Sequence, residues 1–309
     1  MLGPWLELSG TTDLVDSFSA AAGTDLAQHG TTSDADTIRD TAVAQPLIVS
    51  ASLVALRTIL EGRPTSDVVD VTAGHSVGEL SAAAVAGVLD DAGAVGLVSH
   101  RARAMADAAA ATPSGMSAVV GGDPEEVLAA VEAAGLFPAN VNGGGQLVVA
   151  GDVDRLAALA DDAPARTRVI PLPVAGAFHT PYMDTAREAF TQVATTWLAT
   201  DPRLPLLSNA DGTAYSTLGE GAHGQGTSTD VLSRLAAQVT APVRWDRCQA
   251  TLADLGVTGL LELAPGGVLT GLAKRSLKGV ESVAVKSPDD VEAARDLIAR
   301  HSTAAGSAQ

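Results

Sequence analysis

The chain is predicted to be an α/β protein, a large parallel-sheet domain interrupted by a smaller inserted one. Three observations lead there. A short β-branched run, Asp67-Val68-Val69-Asp70-Val71-Thr72-Ala73, ends in the Gly-flanked turn Gly74-His75-Ser76-Val77-Gly78 and opens into a helical stretch. Strand, sharp turn, helix is the α/β signature. Residues 113–173 then change rhythm to the order β-α-β-β-α-β, that of a ferredoxin-like unit. Helix and strand patterns resume after it, so the small domain at 113–173 divides the large one into 1–112 and 174–309.

The elements follow in order. Weak helical patterns at 13–22 and 33–41 precede a strongly apolar helix at 45–60. The β-branched run 67–73 reads as a buried strand. Helices follow to about residue 87 and over 90–110. In the insertion, strands are expected at 116–120, 138–141, 146–150 and 166–172. Helices are expected at 124–134, with Pro at an early position, and at 153–162. The triple glycine Gly143-Gly144-Gly145 separates the two middle strands. The large domain resumes with a helix at 181–198, a strand near 204–207 and a Gly/Ser/Thr-rich loop at 211–229. Two helices, a buried strand at 257–263, the turn Pro265-Gly266-Gly267 and a helix to Lys278 come next. A last strand and helix end near His301, ahead of a polar tail of eight residues.

Composition narrows the function. The 309 residues are 46% hydrophobic and 18% charged, enough to bury a sizeable core. Aromatics are only 3%, so the core packs small and aliphatic side chains. Nineteen Lys and Arg against 36 Asp and Glu give a formal charge of −17, which argues against a nucleic-acid partner. The single cysteine, Cys248, forms no internal disulfide and suits a reducing compartment. No uninterrupted apolar run reaches the roughly 18 residues of a membrane span, and no signal-like segment opens the chain. A cytoplasmic location is expected. No residues show metal-ligand spacing.

Gly74-x-Ser76-x-Gly78 fits a nucleophile elbow. Small neighbours let strand and helix approach, and the serine stands at the helix N-terminus. There the dipole and the Val77 N–H can stabilise an oxyanion. An ordinary capping serine is the plainer alternative. His75 is adjacent but points elsewhere on so sharp a turn, and reads as structural. Among the six histidines, His179 lies in the uncharged loop Val174-Ala-Gly-Ala-Phe-His-Thr-Pro181, where a cleft between the domains would form. Position alone leaves it open whether His179 is a base or merely precedes a helix. Arg101 shares a helix face with Leu97, Val98 and Met105. A guanidinium there needs a partner, either a substrate carboxylate or a structural acid.

Together the stretches Gly-His-Ser-Val-Gly-Glu (74–79), Arg101, Asn140-Val-Asn142, Gly-Ala-Phe-His (176–179), Gln238 ahead of Pro242-Val-Arg-Trp245, and Ala264-Pro-Gly-Gly-Val-Leu-Thr-Gly-Leu272 resemble the malonyl-CoA:acyl carrier protein transacylases. The acyltransferase domains of polyketide synthases share the pattern. The resemblance implies an α/β-hydrolase-like large domain with a ferredoxin-like insertion. It implies ping-pong malonyl transfer from malonyl-CoA to acyl carrier protein for fatty acid synthesis, with no cofactor beyond the CoA substrate. Ser76 would carry the acyl group and His179 would be its base, oriented by the backbone carbonyl of Gln238, whose side chain need not matter. Arg101 would clamp the malonyl carboxylate, Val77 would supply an oxyanion N–H, Asn142 would line the pantetheine path, and Phe178 would exclude an α-methyl branch. Lys274, Arg275 and Lys278 are candidate carrier contacts.

The family opens with a strand and a Gly-Gln-Gly loop that supplies a second oxyanion donor. Met1-Leu-Gly-Pro-Trp-Leu-Glu-Leu matches the family's segment just beyond that loop, so strand and loop are expected to be missing from the chain as written. Two competing readings remain at this point. A (thio)esterase of α/β-hydrolase type requires a late catalytic histidine, and only His301 is late. A catalytically impaired carrier-binding remnant would result from the missing strand.

Overall fold

The computed structural model describes residues 1–174, 176–215 and 226–302. Most of the loop at 211–229, including His223, and nearly all of the terminal tail lie outside the described residues. The chain begins with helices α1 (Gly3–Leu6), α2 (Thr11–Ala22), α3 (Leu26–Thr31) and α4 (Ala35–Arg39). The long α5 (Thr41–Leu60), α6 (Gly78–Val85) and α7 (Asp91–Ala111) follow. Asp25, Asp34, Asp40 and Asp90 each accept a backbone N–H at the start of the next helix. Part of the acidic composition therefore caps helices, where carboxylates also meet the positive end of the dipole.

Helix α5 is apolar on nearly every side, with a mean hydropathy of 1.7. By length and composition alone it is able to cross a membrane. Inside the fold 72% of its most apolar 18-residue stretch is buried, and the helix packs against α2, α6, α7 and the C-terminal helix. A helix apolar all round must be covered all round, and here the protein covers it.

The inserted unit holds β1 (Gly115–Gly121), α8 (Pro124–Ala133), β2 (Phe137–Gly143), β3 (Gln146–Gly151), α9 (Val153–Asp161) and β4 (Thr167–Pro171). Its strands form one antiparallel sheet in the order β2-β3-β1-β4. Period-two alternation divides its side chains. Val119 and Val149 join Val127, Val131, Leu156 and Leu159 of the two helices. Met116, Ala118, Val148 and Ala150 face the other way, with Ala139, onto Ala177 and Phe178. The second face is built of small residues and meets the loop that carries His179. The edge strand β2 is extended by residue 243, with Val141 N–H donating to Val243 O and Val243 N–H to Ala139 O, each at 2.9 Å.

The chain continues through α10 (Asp184–Ala194), β5 (Leu206–Leu207), β6 (Ala214–Tyr215), α11 (Ser228–Ala237), α12 (Trp245–Asp254), β7 (Gly259–Glu262), α13 (Val268–Ser276), β8 (Glu281–Ala284) and α14 (Val291–His301). Here the sheet departs from expectation. The run 67–73 is not a continuous buried strand. It starts as a 3-10 turn, Thr65–Asp67, and contributes one parallel bridge, Thr72 to Leu206. Its hydrogen bonds run to one side only, Thr72 N–H to Pro205 O and Leu207 N–H to Thr72 O. Asp67 and Asp70 are exposed. β-branched propensity expresses a fit to neighbouring strands, and with a neighbour on one side the run stays irregular. β7 and β8 pair in parallel as a separate piece. Both pieces share apolar layers. Val71, Ala73 and Leu260 pack on the Leu207–Trp245–Cys248 cluster, while Val68, Val69, Leu261 and Val283 pack on the main core. The result is an α/β mixture in which helices cover both sides of short parallel segments.

The turn after Ala73 is the tightest place in the chain. Ser76 has φ +52°, a left-handed conformation that costs a non-glycine residue roughly 1–3 kcal/mol. A Cβ on Gly74 would lie 2.0 Å from the backbone of Gly78. Only glycine lets the incoming segment and α6 come so close. Gly74→Ala should destabilise the fold by about 3 kcal/mol or more. Denaturant unfolding tests this, and a wild-type midpoint would contradict the close-approach argument.

Candidate active site

Asn209 brackets the turn. Its Oδ1 accepts the Ser76 N–H at 2.7 Å and its Nδ2 donates to Gly74 O at 2.7 Å. Gly78 N–H closes onto His75 O at 3.0 Å, and α6 begins. The Ser76 hydroxyl stands at the helix start. Val77 N–H, the next donor along, has no acceptor among the described residues.

The Ser76 hydroxyl donates to His179 Nε2 at 2.7 Å, and His179 Nδ1 donates to the backbone carbonyl of Gln238 at 2.9 Å. A carbonyl only accepts, so Nδ1 carries the proton and Nε2 is free to act as a base. Burial, reinforced by the nearby Arg101 charge and opposed by the Gln238 carbonyl, pushes the His179 pKa down to about 3. The imidazole is therefore neutral. His179 itself has φ +63°, so the candidate nucleophile and base both sit in strained backbone, as functional residues often do.

Arg101 is 1% exposed. Its Nη2 donates to Gln238 Oε1 at 2.7 Å and approaches Ser76 Oγ at 3.3 Å, while Nη1 donates to Gln45 Oε1. Its Nε has no partner among the described residues. Burial lowers the guanidinium pKa to about 10, against the pull of Glu79, and it stays charged at neutral pH. No carboxylate touches it among the described residues, so the structural-acid alternative does not hold in its direct form. Two amide oxygens are its acceptors.

The expectation that the Gln238 side chain is idle needs correcting. While its backbone holds His179, its side chain accepts from Arg101 through Oε1 and donates through Nε2 to Glu79 and, at 3.2 Å, to Ser76 O. One residue thus fixes the base, the arginine and the elbow. Asn142 also differs from a simple path-lining residue. It is 6% exposed, accepts from His75 Nε2 at 2.8 Å and donates to Gln146 Oε1 at 3.0 Å. His75, packed edge-on to Trp245, ties the elbow to the inserted unit and turns away from Ser76. Phe178 packs between the main core and the small-residue face of the inserted sheet.

The remaining described histidines play no part here. His29 bonds Thr24 and Ser33, His100 packs on Trp197, and His301 pairs with Glu281. The late histidine that an esterase arrangement needs is thus occupied elsewhere. Lys274, Arg275 and Lys278 are exposed at the end of α13, beside the Gly143–Gly145 turn, where Arg275 would lie 3.1 Å from a Cβ on Gly144. Among the described residues, no group of three or more His, Cys, Asp or Glu has a metal-binding arrangement. A cavity of about 480 Å³ beside Arg57, Glu61 and Arg295 is lined by none of the residues around Ser76.

Sequence reasoning missed Gln45, Glu79 and Asn209 as participants. Gln45 and Glu79 had a signal, since each is a long polar side chain among mostly apolar or small helix residues. Asn209 had none, because the elbow residues it brackets, Ser76 and Gly74, lie more than 130 residues away.

The model of the acyl transferase domain family matches residues 12–294. The malonyl CoA-acyl carrier protein transacylase of Mycobacterium tuberculosis is 46% identical over 302 residues, which is 96% of this chain and 95% of that protein. The Escherichia coli protein of the same name is 32% identical over 286 residues, covering 90% and 88%. The crystal structure of MCAT from M. tuberculosis superposes with a TM-score of 0.85 at 46% identity, covering 94% of this chain and 93% of that one. A malonyl-transacylase solved in complex with its type II PKS acyl-carrier protein has a TM-score of 0.85 at 26% identity, covering 96% and 94%. With Ser76, His179 and Arg101 gathered at one elbow, the chain belongs to the acyl transferase domain family, among the malonyl CoA-acyl carrier protein transacylases.

Proposed function

We propose that the chain transfers malonyl groups from malonyl-CoA to the phosphopantetheine thiol of acyl carrier protein, through a malonyl ester on Ser76, in fatty acid synthesis. The observation that carries this is a buried guanidinium 3.3 Å from the serine hydroxyl, beside a neutral histidine. Ser76 Oγ attacks the thioester carbonyl as His179 Nε2 takes its proton. Val77 N–H meets the developing oxyanion. The ester bond from Ser76 Oγ to the malonyl carbonyl carbon forms, the C–S bond breaks, and His179 returns the proton to the CoA sulfur. The carrier thiol then reverses the steps. These residues supply the base and the electrostatics from the chain itself, so malonyl-CoA enters as substrate, with no further cofactor in the proposed steps.

Arg101 clamps the malonyl carboxylate. A site built around a charge partner rejects acetyl, which lacks that charge, far better than a methylene-sized pocket could. Phe178, adjacent to the base, leaves little room for an α-methyl branch. Asn142, held by His75, steers the pantetheine arm at the seam between the parts. The topology supports an α/β-hydrolase-like domain, 1–112 and 174–309, carrying a ferredoxin-like domain at 113–173. The buried free thiol of Cys248 suits a cytoplasmic setting. Lys274, Arg275 and Lys278 offer the carrier a basic face on a protein of net charge −17.

Labelling tests the reading directly, since labelled malonyl-CoA should modify the wild type at Ser76. Arg101→Ala should cut the malonyl preference over acetyl by about 10²-fold or more. An unchanged preference would remove Arg101 from its role. Because His179 stays neutral down to about pH 3, the acylation rate should show no acid limb centred near 6.5, where an ordinary histidine titrates. A midpoint at 6.5 in stopped-flow acylation would contradict the buried base. Arg275→Glu should slow transfer to the carrier while acylation from CoA keeps its rate. Equal losses in both half-reactions would rule out docking at α13.

A further inference from the structure

We infer that Glu79 is a positioning residue for malonyl selection, acting on Arg101 through the Gln238 amide and needing to be protonated while the substrate carboxylate is bound. This rests on the malonyl reading above.

Glu79 lies on the first turn of α6 and is 4% exposed. Its Oε1 accepts Asn209 N–H at 2.7 Å and its Oε2 accepts from Gln238 Nε2. Two donors aimed at two oxygens suit an ionised carboxylate. They also dictate which way the Gln238 amide faces. With Nε2 held by Glu79, Oε1 must face Arg101. When Glu79 is ionised, its charge and that of Arg101 balance across one amide. That amide oxygen occupies the guanidinium donor without the strength of a carboxylate, so a substrate carboxylate can displace it.

The entering carboxylate adds a second negative charge to this buried space, and like charges in one site raise the pKa of the weaker acid. Burial already pushes Glu79 up to about 8, against the Asn209 N–H, the charges of Arg101 and Arg234 and the Gln238 amide. Protonated Glu79 becomes a donor. Reversing the Gln238 amide then satisfies both partners, since Oε1 accepts from Glu79 and Nε2 turns toward the substrate carboxylate beside Arg101.

The groups facing Glu79 from the surrounding elements titrate elsewhere. Arg101 on α7 is held at about 10, and Arg234 on α11 is raised by Asp211. The Tyr215 hydroxyl on β6 is raised by burial, and the Cys248 thiol on α12 is pushed up to about 12. His75 and His179 are lowered by burial, and Asp211 is lowered by its Thr213 and Arg234 partners despite partial burial. Glu79 is thus the group that changes charge between pH 7 and 9. Its pKa is higher with malonyl bound than without. Malonyl affinity should therefore hold below the free-enzyme value of about 8 and fall as pH rises through it, by up to about tenfold per unit.

The test is a competition between malonyl-CoA and acetyl-CoA for Ser76, read by intact mass from about pH 6.5 to 9, the range that brackets a group titrating near 8. Charges on the CoA moiety cancel in the ratio. The wild-type malonyl-to-acetyl ratio should be level below about pH 8 and drop towards tenfold by about pH 9. Glu79→Gln mimics the protonated acid, because its amide can donate to Gln238 and accept from Asn209. Its ratio should stay at the wild-type low-pH level throughout. A level wild-type ratio, or a slope that survives in Glu79→Gln, overturns the inference. Absence of malonyl labelling in the wild type at every pH overturns the function reading instead. If Glu79→Gln fails to fold, the exchange Glu79→Gln with Gln238→Glu restores the charge and the 79–238 and 101–238 hydrogen bonds but sets a carboxylate directly on Arg101. Acetyl labelling should then persist with malonyl preference lost at all pH values, and a wild-type ratio and slope in this variant would refute the role.

Discussion

The Arg101 guanidinium is buried to 1% exposure, and an unpaired charge so placed would cost many kcal/mol. The usual remedy is a bidentate carboxylate, which here would seal the cation that the substrate needs. The chain instead surrounds Arg101 with amide oxygens from Gln45 and Gln238 and sets Glu79 one amide further away. Neutral acceptors leave the guanidinium strongly attractive to an incoming anion. The remote carboxylate offsets that charge only when it is ionised. Everything near the serine is arranged around that compromise: α5 delivers Gln45, α6 delivers Glu79, α7 delivers Arg101, and the 3-10 turn Gln238–Thr240 brings Gln238.

The elbow depends on the same network. Strained φ values at Ser76 and His179 persist only where surrounding bonds over-determine them. Asn209 supplies two of these bonds at the serine. Gln238 and Glu79 hold Asn209 in turn, through Oδ1 at 3.3 Å and the backbone N–H at 2.7 Å. Buried polar networks of this kind stabilise only when each member is satisfied. Arg101 Nε and Trp245 Nε1, which have no partner among the described residues, stand out against that background. The first belongs to the group whose donors the substrate is expected to meet.

Much of this was legible in the sequence, and the failures share a cause. The inserted unit could be read from periodicity because its pairings are local; β1, β2 and β3 all fall between Gly115 and Gly151. The elbow could be read because glycine spacing encodes a backbone shape. Arg101 announced itself as a charge on an apolar face, and His179 as an imidazole in an uncharged loop. The run 67–73 misled, because propensity says nothing about whether a neighbour lies on each side. Asn209 and the Gln238 side chain were out of reach for the same reason. Their meaning lies in contacts with residues 130 or more positions away, and no local pattern reports such contacts.

The acidic composition has a structural use that leaves the site clear. Asp25, Asp34, Asp40, Asp90, Asp123 and Asp152 cap helices, and Glu262 does the same for α13 by accepting three backbone N–H groups. Other acids pair with Arg57, Arg234, Arg244, Arg295 and Arg300. Field lines from exposed carboxylates are screened within about 8–10 Å in physiological salt, whereas a buried guanidinium acts through low-dielectric protein. An anionic substrate thus meets a repulsive surface at long range and an attractive one at the point of reaction. On the proposed mechanism, selection is made inside the site, where Glu79 and Gln238 set how strongly Arg101 pulls.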